Sequence, residues 1–102
     1  MSMTPWESFW ESETLRLMEK AEGQFRQKLV EQRNVRQWQV KNGMTVHDGV
    51  AGRNTIWLAG MLYKMNPHEA VDLIKQGMDP AVWLKAQAAG VDSHLLESLL
   101  NG

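Results

Sequence analysis

The segment MNPHEAVDLIKQGMDPAVWLKAQAAGVDSHLLESLLNG (65–102) repeats the signals of a helix start every thirteen residues. Asn66, Asp79 and Asp92 share this spacing, and each has a side-chain oxygen that can accept a hydrogen bond from a free N–H group at a helix start. Proline or serine follows each of them, and each unit ends at a glycine, the usual residue just beyond a helix. The pattern predicts three short capped helices in succession.

Each predicted helix start is flanked by two apolar residues. One lies directly before the capping residue and the other follows five residues later, which is the spacing of a hydrophobic staple. The pairs are Met65 with Ala70, Met78 with Trp83, and Val91 with Leu96. Because the connections are very short, we expect successive helices to turn sharply and form a compact bundle.

The stretch before the repeats, TIWLAGMLYKM (55–65), is apolar on nearly every side of a helix. Its large apolar residues are Ile56, Trp57, Leu58, Met61, Leu62 and Met65. A helix that is apolar all round is typically buried. We therefore predict a central, buried helix at 54–65 and a short-helix bundle that covers 54–102.

The N-terminal part of the chain has the signals of one long amphipathic helix. The residues TPWE (4–7) combine a capping hydroxyl, a proline suited to the first turn and a glutamate three residues after the cap. Over 6–29, apolar residues recur at helical spacing, and several pairs are eleven residues apart. We expect Gly23 to weaken this helix by about 1 kcal/mol without ending it. The predicted helix covers 1–42.

The Asn-Gly pair at 42–43 fits either a helix end or the turn of a hairpin between 36–41 and 44–47. We favour the helix end, because an isolated hairpin is marginally stable in water. The glycine-rich segment 43–53 then forms an exposed connection, with Asn54 capping the next helix. Its glycine spacing does not match a phosphate-binding loop, and whether it binds an anion stays open.

The bulk composition is that of a single all-α domain over 1–102. The chain has 102 residues, of which 43% are hydrophobic and 23% charged, and a net charge of −1. It has no cysteine, so neither disulfides nor thiolate metal sites are possible. No secretory leader and no run long enough to span a membrane are visible, so we predict a cytoplasmic protein without membrane contact.

The three histidines do not lie in a metal-ligand pattern. His68 and Glu69 are adjacent, and neighbours on a helix point about 100° apart, so they do not converge on one ion. His68 and Asp72 share a helix face, but such a pair is common on protein surfaces. No nucleophile motif is present. The sequence therefore predicts no catalytic residue, no metal, no cofactor and no enzymatic activity.

Charge is distributed unevenly along the predicted long helix. Residues 1–22 contain five acids and two bases, whereas 24–41 contain five bases and one acid. Two copies in antiparallel orientation would pair acidic halves with basic halves along a tryptophan-rich seam. The predicted protein interface consists of Trp6, Phe9, Trp10, Glu11, Glu13, Leu17, Arg33 and Arg36.

The expected function is a non-enzymatic protein–protein interaction module that forms homo-oligomers through the N-terminal helix. Its class is an adaptor, an inhibitor or a small assembly component of a bacterial or phage system, and its partner is not specified by the sequence. The alternative is a small nucleic-acid-binding protein that uses the basic segment 26–41. Its contacts would be Arg26, Lys28, Arg33, Arg36, Trp38 and Lys41.

Overall fold

The computed structural model describes residues 5–90, 92, 94 and 95. This part of the chain is all-helical and has no strand, which confirms the predicted fold class. The helices in chain order are α1 (Pro5–Lys20), α2 (Gly23–Lys41), α3 (Arg53–Tyr63), α4 (Pro67–Lys75) and α5 (Pro80–Ala88).

The predicted continuous helix over 1–42 is wrong, because the chain reverses direction between α1 and α2. Glu22 is extended, with φ −133° and ψ 161°, and Gly23 has φ +60°. Glycine adopts this left-handed conformation without the steric cost that other residues incur. The same spacing of apolar residues is compatible with one long helix and with a helical hairpin. The periodicity alone therefore does not predict the reversal.

The core lies where the C-terminal half of α2 meets α3 and α4. Its buried residues are Val35, Trp38, Ala59, Ala70, Val71 and Ile74. The indole Nε1 of Trp38 donates a hydrogen bond to the hydroxyl of Tyr63 at 3.0 Å, so the buried tryptophan has a polar partner. Small residues let α3 and α4 approach closely: a Cβ at Gly60 would lie 2.7 Å from Cγ of Pro67.

The prediction that α3 is buried on all sides is also wrong. Only Thr55 and Ala59 of this helix are buried. Trp57, Met61 and Leu62 expose 61%, 53% and 49% of their surface. The sequence pattern correctly shows that α3 is apolar all round, but no helix in the described part of the chain covers its outer side.

The capping residues of the thirteen-residue repeat are where the sequence predicts them. The Oδ1 atom of Asn66 accepts hydrogen bonds from the backbone N–H groups of His68 and Glu69 at 3.0 and 3.3 Å. Asp79 accepts one from Ala81 at 2.9 Å.

The third unit of the repeat is described only in part. The Oδ1 atom of Asp92 accepts a hydrogen bond from the backbone N–H of His94 at 2.8 Å, which is again a helix-start contact. The staple pair of Val91 and Leu96 and the rest of this third helix lie outside the described residues.

The helix-end interpretation of 42–43 is confirmed. Gly43 has φ +73°, and its N–H donates to the carbonyl of Val40 at 3.2 Å. The N–H of Met44 donates to the carbonyl of Gln39 at 3.0 Å. This pair of bonds closes the end of α2 as a Schellman motif.

The segment between α2 and α3 is largely exposed, as the sequence predicts, and Gln39 fixes it to the helices. The Gln39 side chain is fully buried, and its Nε2 donates to the Val50 carbonyl at 3.1 Å and to Thr55 Oγ1 at 3.0 Å. Its Oε1 accepts from the N–H of Gly49 at 3.0 Å. The expected cap by Asn54 is not formed, because α3 begins at Arg53 with Gly52 as its N-cap, and Asn54 lies inside the first turn.

Candidate protein interaction surface

Three aromatic side chains form an exposed cluster on the first turns of α1. Trp6, Phe9 and Trp10 expose 66%, 56% and 44% of their surface. Their ring centroids are 5.5 to 6.3 Å apart, within the range of favourable aromatic pairs. We call these residues the aromatic cluster. Their rings contact one another and remain largely open to solvent.

A cleft of about 380 Å³ lies beside the aromatic cluster, where α1, α2 and the segment after α2 meet. It is lined by Trp6, Trp10, Gln32, Arg36, Val46, His47 and Asp48. The Gln39 contacts described above fix this segment, and Gln32 Nε2 donates to the Asp48 carbonyl at 3.3 Å. The cleft therefore belongs to the ordered fold, and its lining combines the two tryptophans and Val46 with four polar or charged side chains.

A buried ion-pair network attaches α1 to α2 beneath the aromatic cluster. Glu11 Oε2 accepts a hydrogen bond from Arg36 Nη2 at 2.6 Å, and Glu11 Oε1 accepts one from Arg33 Nε. We call these three residues the Glu11 network. Glu11 and Arg36 are both buried. Charge-assisted bonds of this kind are stronger than neutral ones and fix side-chain geometry.

Two opposing effects act on the pKa of Glu11. Burial raises it, but the hydrogen bonds and positive charges of Arg33 and Arg36 together outweigh burial, so the pKa lies below its usual value. Glu11 is therefore a carboxylate at neutral pH and compensates the buried charge of Arg36.

The Glu11 network places acidic and basic residues together within one chain. The sequence predicts Glu11, Arg33 and Arg36 as intermolecular contacts, and the structure pairs them across its own hairpin. Glu13 instead forms a surface pair with Arg16 at 2.8 Å, and this hydrogen bond lowers the pKa of Glu13. Leu17 is partly exposed on the same helix.

Three of the six residues predicted for nucleic-acid contact are engaged in contacts within the protein. Trp38 exposes only 8% of its surface and lies in the core, where it has no free ring face for a base. Arg33 and Arg36 contact Glu11. The remaining three, Arg26, Lys28 and Lys41, are exposed.

Sequence reasoning missed a second exposed apolar surface, on α3. Trp57, Met61 and Leu62 lie there, and we call them the α3 face. Two observations in the sequence point to it: the whole circumference of this helix is apolar, and a chain of this length has few helices with which to cover it.

No group of three metal-ligating side chains occurs in the part of the chain that the structure describes, and none of its helices is long and apolar enough to cross a membrane. Comparison of the chain with protein-family models, curated proteins and solved structures gives no match.

Proposed function

We propose that the protein is a non-enzymatic interaction module that self-associates through the aromatic cluster of α1. The exposure of Trp6, Phe9 and Trp10 carries this proposal. Large aromatic side chains are enriched among the residues that contribute most to protein–protein affinity, especially tryptophan. A core aromatic of the same chain, Trp38, is by contrast almost completely buried.

The way in which the cluster is held supports the same proposal. Trp10 is adjacent in sequence to Glu11, whose carboxylate bonds Arg36 on the neighbouring helix. This contact fixes the first turns of α1 relative to α2 before any partner binds. A surface that is already in its bound arrangement loses less conformational entropy on association.

The decisive test compares the oligomeric state of three proteins by sedimentation velocity over a range of concentrations. The parent should associate, and the double variant Trp6→Ala with Trp10→Ala should remain monomeric with a nearly unchanged melting temperature. Phe25→Ala is the matched control. This aromatic is 58% exposed and lies at the start of α2, near the turn of the hairpin, away from the first turns of α1.

Two results would contradict the proposal. If the double variant associates like the parent, the aromatic cluster is not the interface. If it unfolds, the aromatic residues stabilise the monomer. Loss of association in Phe25→Ala as well would mean that any exposed aromatic residue promotes association, without a specific surface.

A further inference from the structure

The α3 face is one continuous apolar stripe. Trp57 and Met61 lie four residues apart on α3, and Leu58 and Leu62 form a second pair with the same spacing beside them. Leu58 is half-buried at the edge of the stripe, where it packs against the core. Soluble helices normally present polar residues on the side away from the core. A stripe of this kind is typical of a surface that is covered by another chain.

The aromatic cluster of the same chain does not cover this stripe. The cluster and the α3 face are both exposed in one and the same conformation. The Glu11 network holds α1 on α2 in that conformation. Any contact between the two surfaces therefore has to form between different copies.

The charges around the two apolar surfaces are complementary. The range from Arg53 to Lys64 contains a base at each end and no acid. Helix α1 contains four glutamates against one arginine and one lysine, a net charge of −2, and Glu13 is paired with Arg16. Opposite charges at the rim of an interface favour the encounter of the two surfaces and suppress other pairings.

We infer that the aromatic cluster of one copy docks on the α3 face of a second copy, so that the protein assembles head to tail. This inference rests on the proposed self-association through α1 and adds the surface that receives it. Pairing of α1 with α1 would bring two acidic helices together. Antiparallel pairing of α3 with α3 would place Arg53 of one copy near Lys64 of the other. Only the mixed pairing joins two helices of opposite net charge.

Head-to-tail contacts have a consequence for size. Each copy has one donor surface and one acceptor surface, so assembly continues until a ring closes or an open chain forms. A symmetric contact through α1 alone would instead stop at the dimer.

A mixing experiment separates these possibilities. One variant, Trp6→Ala with Trp10→Ala, keeps only the α3 face, and the other, Trp57→Ala with Met61→Ala, keeps only the aromatic cluster. Light scattering should show assemblies larger than a dimer for the parent and monomers for each variant alone. An equimolar mixture of the variants should give a heterodimer and nothing larger, because one intact surface of each kind remains. Loss of the contact should raise the dissociation constant by roughly 30-fold or more, the effect of removing anchor residues.

A charge variant tests the same contact without removing apolar area. Arg53→Glu should weaken assembly several-fold at low salt, and the effect should shrink at high salt, where rim charges are screened. Arg26→Glu, an exposed base on α2, is the matched control and should leave assembly unchanged.

The mixing experiment separates two failures: that of the aromatic cluster as an interface, and that of the head-to-tail contact with the α3 face. If Trp6→Ala with Trp10→Ala assembles like the parent, the role of the aromatic cluster itself is refuted. If that variant is monomeric but Trp57→Ala with Met61→Ala assembles like the parent, the aromatic cluster is the interface and the head-to-tail inference is overturned. Two monomeric variants that form no heterodimer on mixing also overturn it. The variant Leu62→Lys replaces the α3 double variant if the latter does not fold.

Discussion

Arg36 on α2 donates a hydrogen bond to Glu11 on α1 at 2.6 Å, although the two residues are twenty-five positions apart in sequence. A continuous helix would separate them by about 37 Å at 1.5 Å per residue. The contact therefore exists only in the hairpin, where it links the helix with the exposed aromatic residues to the core. The first testable consequence concerns the acid in this pair.

Stability should fall in acid more steeply in the parent than in Glu11→Gln. The folded-state pKa of Glu11 lies below its unfolded value, so its contribution is fully present above the unfolded pKa. That contribution is lost as pH falls through the folded pKa, which lies below the ordinary value of a glutamate. Urea unfolding of both proteins between pH 7 and pH 3 measures the difference. The difference in the free energy of unfolding between the parent and Glu11→Gln should be largest at neutral pH and should decrease toward pH 3. A difference that does not change with pH would contradict the prediction.

The sign of the Gly23→Ala effect should distinguish the hairpin from a continuous helix. Gly23 has φ +60°, where alanine costs about 1–2 kcal/mol, so the variant should be destabilised. In a continuous helix the same change would instead stabilise the protein by about 1 kcal/mol.

The control for this prediction is Gly52→Ala. Gly52 has φ −78° and nothing within 4 Å of the added Cβ. Gly52 is the N-cap of α3, where glycine is preferred to alanine, but alanine also lowers the conformational entropy of the unfolded chain, so the two effects offset and the net change in the free energy of unfolding should stay within about 0.5 kcal/mol. Chemical denaturation of both variants provides the comparison.

These residues show which parts of the fold could be predicted from sequence. The caps at Asn66 and Asp79 are local contacts between a side chain and a backbone N–H two or three residues away, so a short pattern was sufficient to find them. The reversal at Gly23 depends on whether packing α1 against α2 has a lower free energy than joining the two into one continuous helix. That balance involves the Glu11 network, in which Glu11 lies 22 and 25 residues from its two arginine partners.

The candidate site was predictable to the same extent. Composition and spacing identified Trp6, Phe9 and Trp10 as residues that one helical body does not readily bury. The α3 face was missed, because apolar character all round a helix is the same signal whether its outer side is covered by its own chain or left exposed. Only the positions of the other helices decide between these two arrangements.

Gln39→Leu should destabilise the protein although leucine is apolar and similar in size. The change removes the acceptor for the buried N–H of Gly49 and the donor to the buried hydroxyl of Thr55, and each unsatisfied buried group costs about 1–3 kcal/mol. Gln37→Leu, at an exposed position of the same helix, is the control and should change stability little.

Hydrogen exchange gives this prediction a local measurement. The amide of Gly49 should lose protection in Gln39→Leu while the amides of the α4 core keep theirs, because the bond to Gln39 is what holds Gly49. Unchanged protection at Gly49 would mean that the segment after α2 is held by other contacts.

Leu62→Ala and Ile74→Ala remove side chains of the same size, one from the exposed α3 face and one from the core, and should differ strongly in their effect on stability. Ile74 is buried in the core, where such a truncation costs about 2–5 kcal/mol. Leu62 is about half exposed, so its truncation should cost less than about 1 kcal/mol in the monomer. Thermal melts at the lowest measurable concentration compare the two variants without a contribution from association.

Raising the protein concentration should change the melting-temperature difference from the parent for Leu62→Ala but not for Ile74→Ala. If a second copy covers the α3 face, association stabilises the parent by mass action, and Leu62→Ala gains less from it. Its melting temperature should therefore fall further behind that of the parent as concentration increases. The Ile74→Ala difference should stay nearly constant, because a buried side chain does not contribute directly to the contact. A Leu62→Ala difference that is independent of concentration would mean that this leucine remains exposed in every state that the protein populates.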